Sequence, residues 1–210
     1  MFDHVLRRGK DHLLAPLVRV AGSRFHPNLI SVAAAVIGVA AAVALANGAY
    51  GLAAALWVSN RLVDGLDGAV ARATGQTSEF GGYLDLMLDV VVYSAIPIGF
   101  ALHRPEPEVF LAVTLLLAAC YINITSWLYL SVLIERHRQS REFAAAPQRL
   151  TAIAMPRGLV EGAETIVAYL VLMLFPDYAV VILLITAAAI LVGAVQRMIW
   201  SVGRFPGGGP

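Results

Sequence analysis

The chain has 210 residues, of which 59% are hydrophobic and only 14% charged, and its mean hydropathy is +0.75. Soluble domains carry about a quarter charged residues, so this composition excludes an ordinary soluble enzyme and indicates an integral membrane protein, a single domain over 1–210. The formal net charge of +1 gives no reason to expect a nucleic-acid partner, and a single cysteine, Cys120, excludes an internal disulfide framework. Cys120 lies in an apolar run and reads as a small packing residue.

The N-terminal MFDHVLRRGKDHLLAPLVRVAGSRF does not read as a cleavable signal, because charges recur through Arg24 and leave no compact apolar stretch before a small-residue cleavage site. Phe2, Val5, Leu6, Leu13, Leu17 and Ala21 recur near helical spacing among Arg7, Arg8, Lys10 and Arg19. This predicts an amphipathic helix over 1–25 that lies on an anionic membrane surface.

Six apolar segments follow, each near the length of about 20 residues that a bilayer requires. They cover 29–46, 51–73, 80–102, 109–134, 158–175 and 178–199, within a core of 26–200. Asn47-Gly48, the turn from Gly75 to Glu79, Pro105 with Pro107, the stretch from Pro147 to Pro156, and Pro176-Asp177 separate them. The second and third contain acids and are expected to fail a strict hydropathy threshold. GGGP closes a tail over 201–210 that reads as unstructured. The fold class expected is all-α, a polytopic membrane protein with six transmembrane helices and an interfacial N-terminal helix.

Six spans put both termini on one side. That side collects Arg7 to Arg24, Arg136 to Arg157, Arg197 and Arg204, while the opposite loops hold only Arg104. By the positive-inside rule the termini and the turn after Arg72 face the cytoplasm, which places the protein in a cell (inner) membrane.

The segment DGLDGAVARATGQTSEFGGYLDLMLD, from Asp64 to Asp89, places four aspartates inside this apolar chain. Segments two and three form an antiparallel hairpin in which Asp64 matches Asp89 in depth and Asp67 matches Asp85. At 1.5 Å of rise per residue the two levels lie roughly 9 and 13 Å below the turn. Within each helix the acids are spaced i,i+3 or i,i+4 and share a face. Four carboxylates so close cannot all ionise alone, and bound cations are the less costly solution. An all-oxygen ligand set favours a hard ion such as Mg²⁺, Mn²⁺ or Ca²⁺ over zinc. Two divalent ions would balance the four acids, as in two-metal phosphoryl-transfer sites.

Gly65, Gly68, Ala69 and Ala71, then Gly81 and Gly82, leave room for a ligand or a helix to approach the backbone. Arg72 near the cytoplasmic mouth can hold a phosphate oxygen or simply reach for the surface. Arg61, one turn before Asp64, could pair with it, either as catalytic support or, the preferred reading, as charge balance. Asn28 in HPNLIS reads as the N-cap of the first apolar helix.

The pattern Asp64-x2-Asp67-Gly68-x2-Ala71-Arg72-x8-Gly81-x3-Asp85-x3-Asp89 resembles the complete signature of the CDP-alcohol phosphotransferase family, and the six-segment layout extends the likeness along the chain. The resemblance implies an enzyme that cleaves a CDP-alcohol, usually CDP-diacylglycerol, passes the phosphoalcohol group to a hydroxyl acceptor and releases CMP. Carried over, Asp64, Asp67 and Asp85 are metal ligands for Mg²⁺ or Mn²⁺. Asp89 completes the second metal site and is the catalytic base for the acceptor hydroxyl. Gly68, Ala71, Arg72 and Gly81 line the cytidine-diphosphate site, and the alternative to the preferred N-cap reading of Asn28 is that it resembles a Pro-Asn element common in the family near that site. Members of the family are commonly homodimers.

The segment joining spans four and five carries the candidates for a small alcohol acceptor. Arg149 and Arg157 are placed to meet a phosphate on it, the remaining arginines being assigned to topology and lipid headgroups. Glu161 and Glu164, i,i+3 at the start of span five, either respond to the helix dipole or bind a cationic or polyhydroxyl acceptor. Beside the leading reading stand a catalytically dead membrane scaffold, against which the intact set of eight signature positions argues, and two further rivals. One is a CDP-aminoalcohol phosphotransferase acting on diacylglycerol; the short, Arg-rich and Lys-poor chain favours the lipid-linked donor. The other is a divalent-cation transporter, against which stands the lack of acids in the outer half.

Overall fold

The structure, a computed structural model, describes Val18 and residues 25–139 and 162–202. The described residues form six α-helices: α1 (Pro27–Ala46), α2 (Tyr50–Thr74), α3 (Glu79–His103), α4 (Pro107–Gln139), α5 (Gly162–Leu174) and α6 (Ala179–Val202). A 3₁₀ turn over Pro176–Tyr178 leads into α6, and no strand occurs among the described residues. The amphipathic helix expected over 1–25 falls almost wholly outside the described residues, as does the end of the tail. The six apolar segments reappear as these helices because the breakers between them are local and strong. Gly75 ends α2 in the left-handed region at φ 68°, and Ser78 caps α3 by accepting from the Gly81 N–H at 3.0 Å.

Four helical stretches are long and apolar enough to cross a membrane: Pro27–Ala46, Glu79–His103, Pro107–Arg136 and Pro176–Val202. This corrects one expectation, that the third segment would fail on hydropathy. Its acids sit near one end, and the remaining residues carry it to a mean hydropathy of 1.7. The second segment, α2, does fall short, and Ala163–Leu174 in α5 is apolar but shorter. Large apolar side chains are turned outward along these helices, as Leu29, Val32, Val36, Val39 and Val43 are on α1. Such continuous apolar surface is what lipid contact requires and what water would penalise.

The chain gathers into two compact units, Met1–Pro105 and Glu106–Pro210. In the first, α1 packs against both α2 and α3, whereas α2 and α3 scarcely approach each other backbone to backbone. Lipid offers apolar side chains no incentive to associate, so close approach of small residues has to hold such helices together. Ala34, Ala35, Ala41, Ala42, Ala53 and Ala54 are buried along these contacts. A Cβ on Gly38 would lie 2.5 Å from a Val92 methyl, and one on Gly99 would run into the Ala42 carbonyl oxygen. Asn60, fully buried, donates from Nδ2 to the Ala34 carbonyl at 2.7 Å and clips α2 to α1. Trp57 and Tyr93 meet edge to face at 5.5 Å between α2 and α3.

In the second unit, α6 packs on α4 and on α5. Arg197, counted from sequence among the arginines of the basic side, is buried here at 5% exposure and donates to Asn123 Oδ1 on α4. A polar partner on a neighbouring helix lets α6 carry this charge inward rather than toward the surface.

Candidate active site

α1 packs against both α2 and α3, and three acids of the signature, two on α2 and one on α3, come together. Asp64, Asp67 and Asp85 each offer a carboxylate oxygen, and the three oxygens lie within 4.8 Å of one another. Asp67 is buried, while Asp64 and Asp85 are half-buried. Asp67 is also the most constrained: Oδ2 accepts from the Ser31 hydroxyl of α1 at 2.5 Å, and Oδ1 accepts from the Gly68 N–H. The Ser31 hydroxyl also lies 3.3 Å from the Pro27 carbonyl, so its position is fixed by α1 itself.

Asp89 stands outside that group of three. Its Oδ1 accepts from Arg61 Nη1 at 3.0 Å, and the same nitrogen lies 3.6 Å from Asp64 Oδ2. Arg61 thus pairs with both Asp64 and Asp89, where the sequence indicated Asp64 alone.

A cavity of about 190 Å³ opens beside the three carboxylates, lined by Asp67 and Asp85 together with Gly68, Ala71, Arg72 and Gly81. All four residues that the signature assigned to the nucleotide therefore share one wall system with two of the carboxylates. At Gly81 the wall is close: a Cβ there would lie 3.0 Å from Ser78 Oγ and 3.2 Å from Asn28 Oδ1, so these side chains would have to give way. At Gly68 the nearest atom to such a Cβ is Arg72 Nη1, at 3.2 Å.

Two lining residues, Asn28 and Ser31, come from α1. Asn28 is not the N-cap: His26 is, accepting the Asn28 N–H on its Nδ1 at 3.3 Å, with Pro27 in the first turn. A proline in the first turn needs no N–H partner, so the cap shifts upstream and the Asn28 side chain is left to the cavity. Ser31 carried no sequence signal beyond following a Pro-Asn pair by three residues, and its role emerges only across 36 residues of chain.

Of the acceptor candidates, Arg149, Arg157 and Glu161 lie outside the described residues. Glu164 is described and occupies the first turn of α5.

The carboxylate group passes the test for a hard divalent ion. Its donors are all oxygen, two helices supply them, and the Ser31 hydroxyl orients one of them, as outer partners of metal ligands do.

Helices long and apolar enough to cross a membrane, with three carboxylates that could hold a metal ion next to a cavity, define a membrane protein with a candidate metal site. The CDP-alcohol phosphatidyltransferase family profile matches residues 24–200. Inner membrane protein YnjF of Escherichia coli (strain K12) is 35% identical over 179 residues, covering 85% of this chain and 84% of that protein. The fold is similar to that of the Mycobacterium tuberculosis phosphatidylinositol phosphate synthase (PgsA1) with CDP-DAG bound, with a TM-score of 0.69, 23% identity and 96% of each chain covered. The same enzyme in complex with manganese and citrate gives a TM-score of 0.68 at 21% identity, covering 95% of this chain and 91% of the other. The chain belongs to the CDP-alcohol phosphatidyltransferase family and is a CDP-alcohol phosphotransferase, a membrane transferase of phospholipid biosynthesis.

Proposed function

We propose that this enzyme transfers the phosphatidyl group of CDP-diacylglycerol to the hydroxyl of a small alcohol and releases CMP. The observation that carries the reading is the meeting of the Asp64, Asp67 and Asp85 carboxylates with a cavity walled by Gly68, Ala71, Arg72 and Gly81. The CDP-DAG-bound enzyme that shares this fold supports the choice of donor, and the manganese-bound form supports Mg²⁺ or Mn²⁺ as the cofactor.

In this reading Asp64, Asp67 and Asp85 hold a divalent ion and Asp89 completes a second site. Bound divalent ions would neutralise the diphosphate and favour departure of CMP. The bare backbone at Gly68 and Gly81 admits the nucleotide, and Arg72 meets a phosphate oxygen. Asp89 takes the proton of the acceptor hydroxyl. The acceptor oxygen forms a bond to the lipid-bearing phosphorus as the bond from that phosphorus to the CMP oxygen breaks. Arg149, Arg157, Glu161 and Glu164 make up the acceptor side.

The layout that belongs to this reading is a single six-span domain in the inner membrane, with both termini and the active site cytoplasmic, acting as a homodimer. A site just inside the cytoplasmic surface lets a water-soluble leaving group depart while acyl chains stay in the bilayer.

The test supplies purified protein with CDP-diacylglycerol, Mg²⁺ or Mn²⁺, and a panel of acceptors: glycerol 3-phosphate, inositol phosphate, inositol, serine and an aminoalcohol. CMP release should require both metal and one acceptor, stop with EDTA, and resume when Mg²⁺ or Mn²⁺ is restored. CMP formed only from a CDP-aminoalcohol with diacylglycerol would replace the donor. Ion flux into liposomes without CMP release would replace the activity.

A further inference from the structure

Arg61 is built into the site more firmly than charge balance requires. Its Nε donates to Asn60 Oδ1 at 2.6 Å, and Asn60, fully buried, is itself tied to the Ala34 carbonyl of α1. Its guanidinium carbon lies 4.9 Å from the ring centroids of both Trp57 and Tyr93, and Nη1 is 3.3 Å from the Tyr93 hydroxyl. An arginine held against a pair of touching aromatic rings keeps its charge and loses its freedom. The cage aims Nη1 at the space between Asp64 Oδ2 and Asp89 Oδ1.

We propose that Arg61 is a resident cation standing between Asp64 and Asp89, so that the free enzyme binds one divalent ion and admits a second only with the nucleotide diphosphate. The inference rests on the metal-dependent reading above and concerns the order in which its charges assemble.

Two physical effects impose this order. The first is charge. Four carboxylates against one divalent ion and one guanidinium leave a single negative charge, so a second ion would gain little attraction and would face the repulsion of Arg61 nearby. The diphosphate restores the negative charge that makes a second ion favourable. The second is ligand number. Mg²⁺ requires close to six oxygens in near-ideal geometry, and Arg61 already engages one oxygen of Asp89 and faces one of Asp64. The oxygens left on those two residues are too few to hold an ion tightly, and a diphosphate can supply more. Asp89 is not among the three acids whose oxygens lie within 4.8 Å of one another, in agreement with both effects. Arg61 is therefore a positioning residue: it acts through Asp64 and Asp89 and need not touch the substrate.

The experiment counts tightly bound Mn²⁺ per chain by electron paramagnetic resonance on the purified full-length protein, at constant free Mn²⁺, without nucleotide and then with CDP. The expected count is one without CDP and two with it. Arg61→Met should bind two without CDP, because four carboxylates then face an open space, and Arg61→Lys should return the count to one. Two tight ions in the nucleotide-free wild type, or one in a folded Arg61→Met, would overturn the proposal. If Arg61→Met does not fold, the wild-type counts with and without CDP and the Arg61→Lys count decide it alone. Metal-dependent CMP release together with two ions in the free wild type sinks this inference and leaves the proposed activity standing. Absence of both Mn²⁺ binding and CMP release sinks the activity itself.

Discussion

Ser31 and Asp67 are joined by a hydrogen bond of 2.5 Å that runs from the first helix to the second and fixes one oxygen of the most buried signature acid. Outer partners of this kind are worth roughly 10–100-fold in metal affinity or activity. Ser31→Ala should weaken Mn²⁺ binding, measured by isothermal titration, by about tenfold or more. Ser31→Thr, which keeps the hydroxyl, should stay close to wild type. Unchanged affinity in the alanine variant would remove Ser31 from the support of Asp67.

Asp85 reaches Asp64 and Asp67 from the other helix, so it is the group that closes the carboxylate cluster between α2 and α3. Asp85→Asn should lower CMP release by more than about 100-fold, beyond the effect of an outer partner, and should lose tight Mn²⁺ binding. Circular dichroism should remain helical, since Asp85 is half-buried and the helix contacts of α3 run mainly to α1. Retained Mn²⁺ affinity would contradict the assignment.

Asp89 accepts from Arg61 and is not one of the three acids grouped within 4.8 Å, and the proposed roles are divided accordingly. Asp89→Asn should reduce turnover by about 10²–10⁴-fold, the usual contribution of a general base. The first Mn²⁺ should still bind, because Asp64, Asp67 and Asp85 are untouched. Full activity in this variant would take the base role away from Asp89.

A methyl group at Gly81 would press against Ser78 Oγ at 3.0 Å and Asn28 Oδ1 at 3.2 Å, at the wall of the cavity. Gly81→Ala should raise the KM for the CDP donor by about tenfold, the lower end of what a misfit of one carbon costs in a pocket. The kcat should change less, because the contact is made equally in ground state and transition state. A fall in kcat at constant KM would argue against a binding role.

Gly99 tests the packing rather than the site. Its added Cβ would meet the backbone carbonyl oxygen of Ala42, which cannot rotate away, whereas at Gly51 nothing lies within 4 Å. Gly99→Ala should destabilise the fold by about 1–3 kcal/mol, read as a lower Tm in detergent. Gly51→Ala should stay within about 0.5 kcal/mol of wild type.

Much of this protein is written locally. Apolar runs bounded by Asn47-Gly48, Gly75, Pro105 and Pro176 give the helices their ends to within a few residues, because turn chemistry acts over only a few positions. The spacing of Asp64, Asp67, Asp85 and Asp89 sets each pair on one helical face, so convergence of acids between two neighbouring helices could be read from helical geometry alone. The signature positions Gly68, Ala71, Arg72 and Gly81 likewise fall together at the cavity.

What the sequence could not decide was which groups meet across helices. That Asp89 turns to Arg61, that Asn60 and two aromatic rings cage that arginine, and that Ser31 serves Asp67 all depend on how α1, α2 and α3 are rotated and spaced. Rotation and spacing follow from close contacts such as Gly38 on Val92 and Gly99 on Ala42. Spacing along the chain reports which side of its own helix a residue occupies, and only the packing of small residues between helices determines what that side faces.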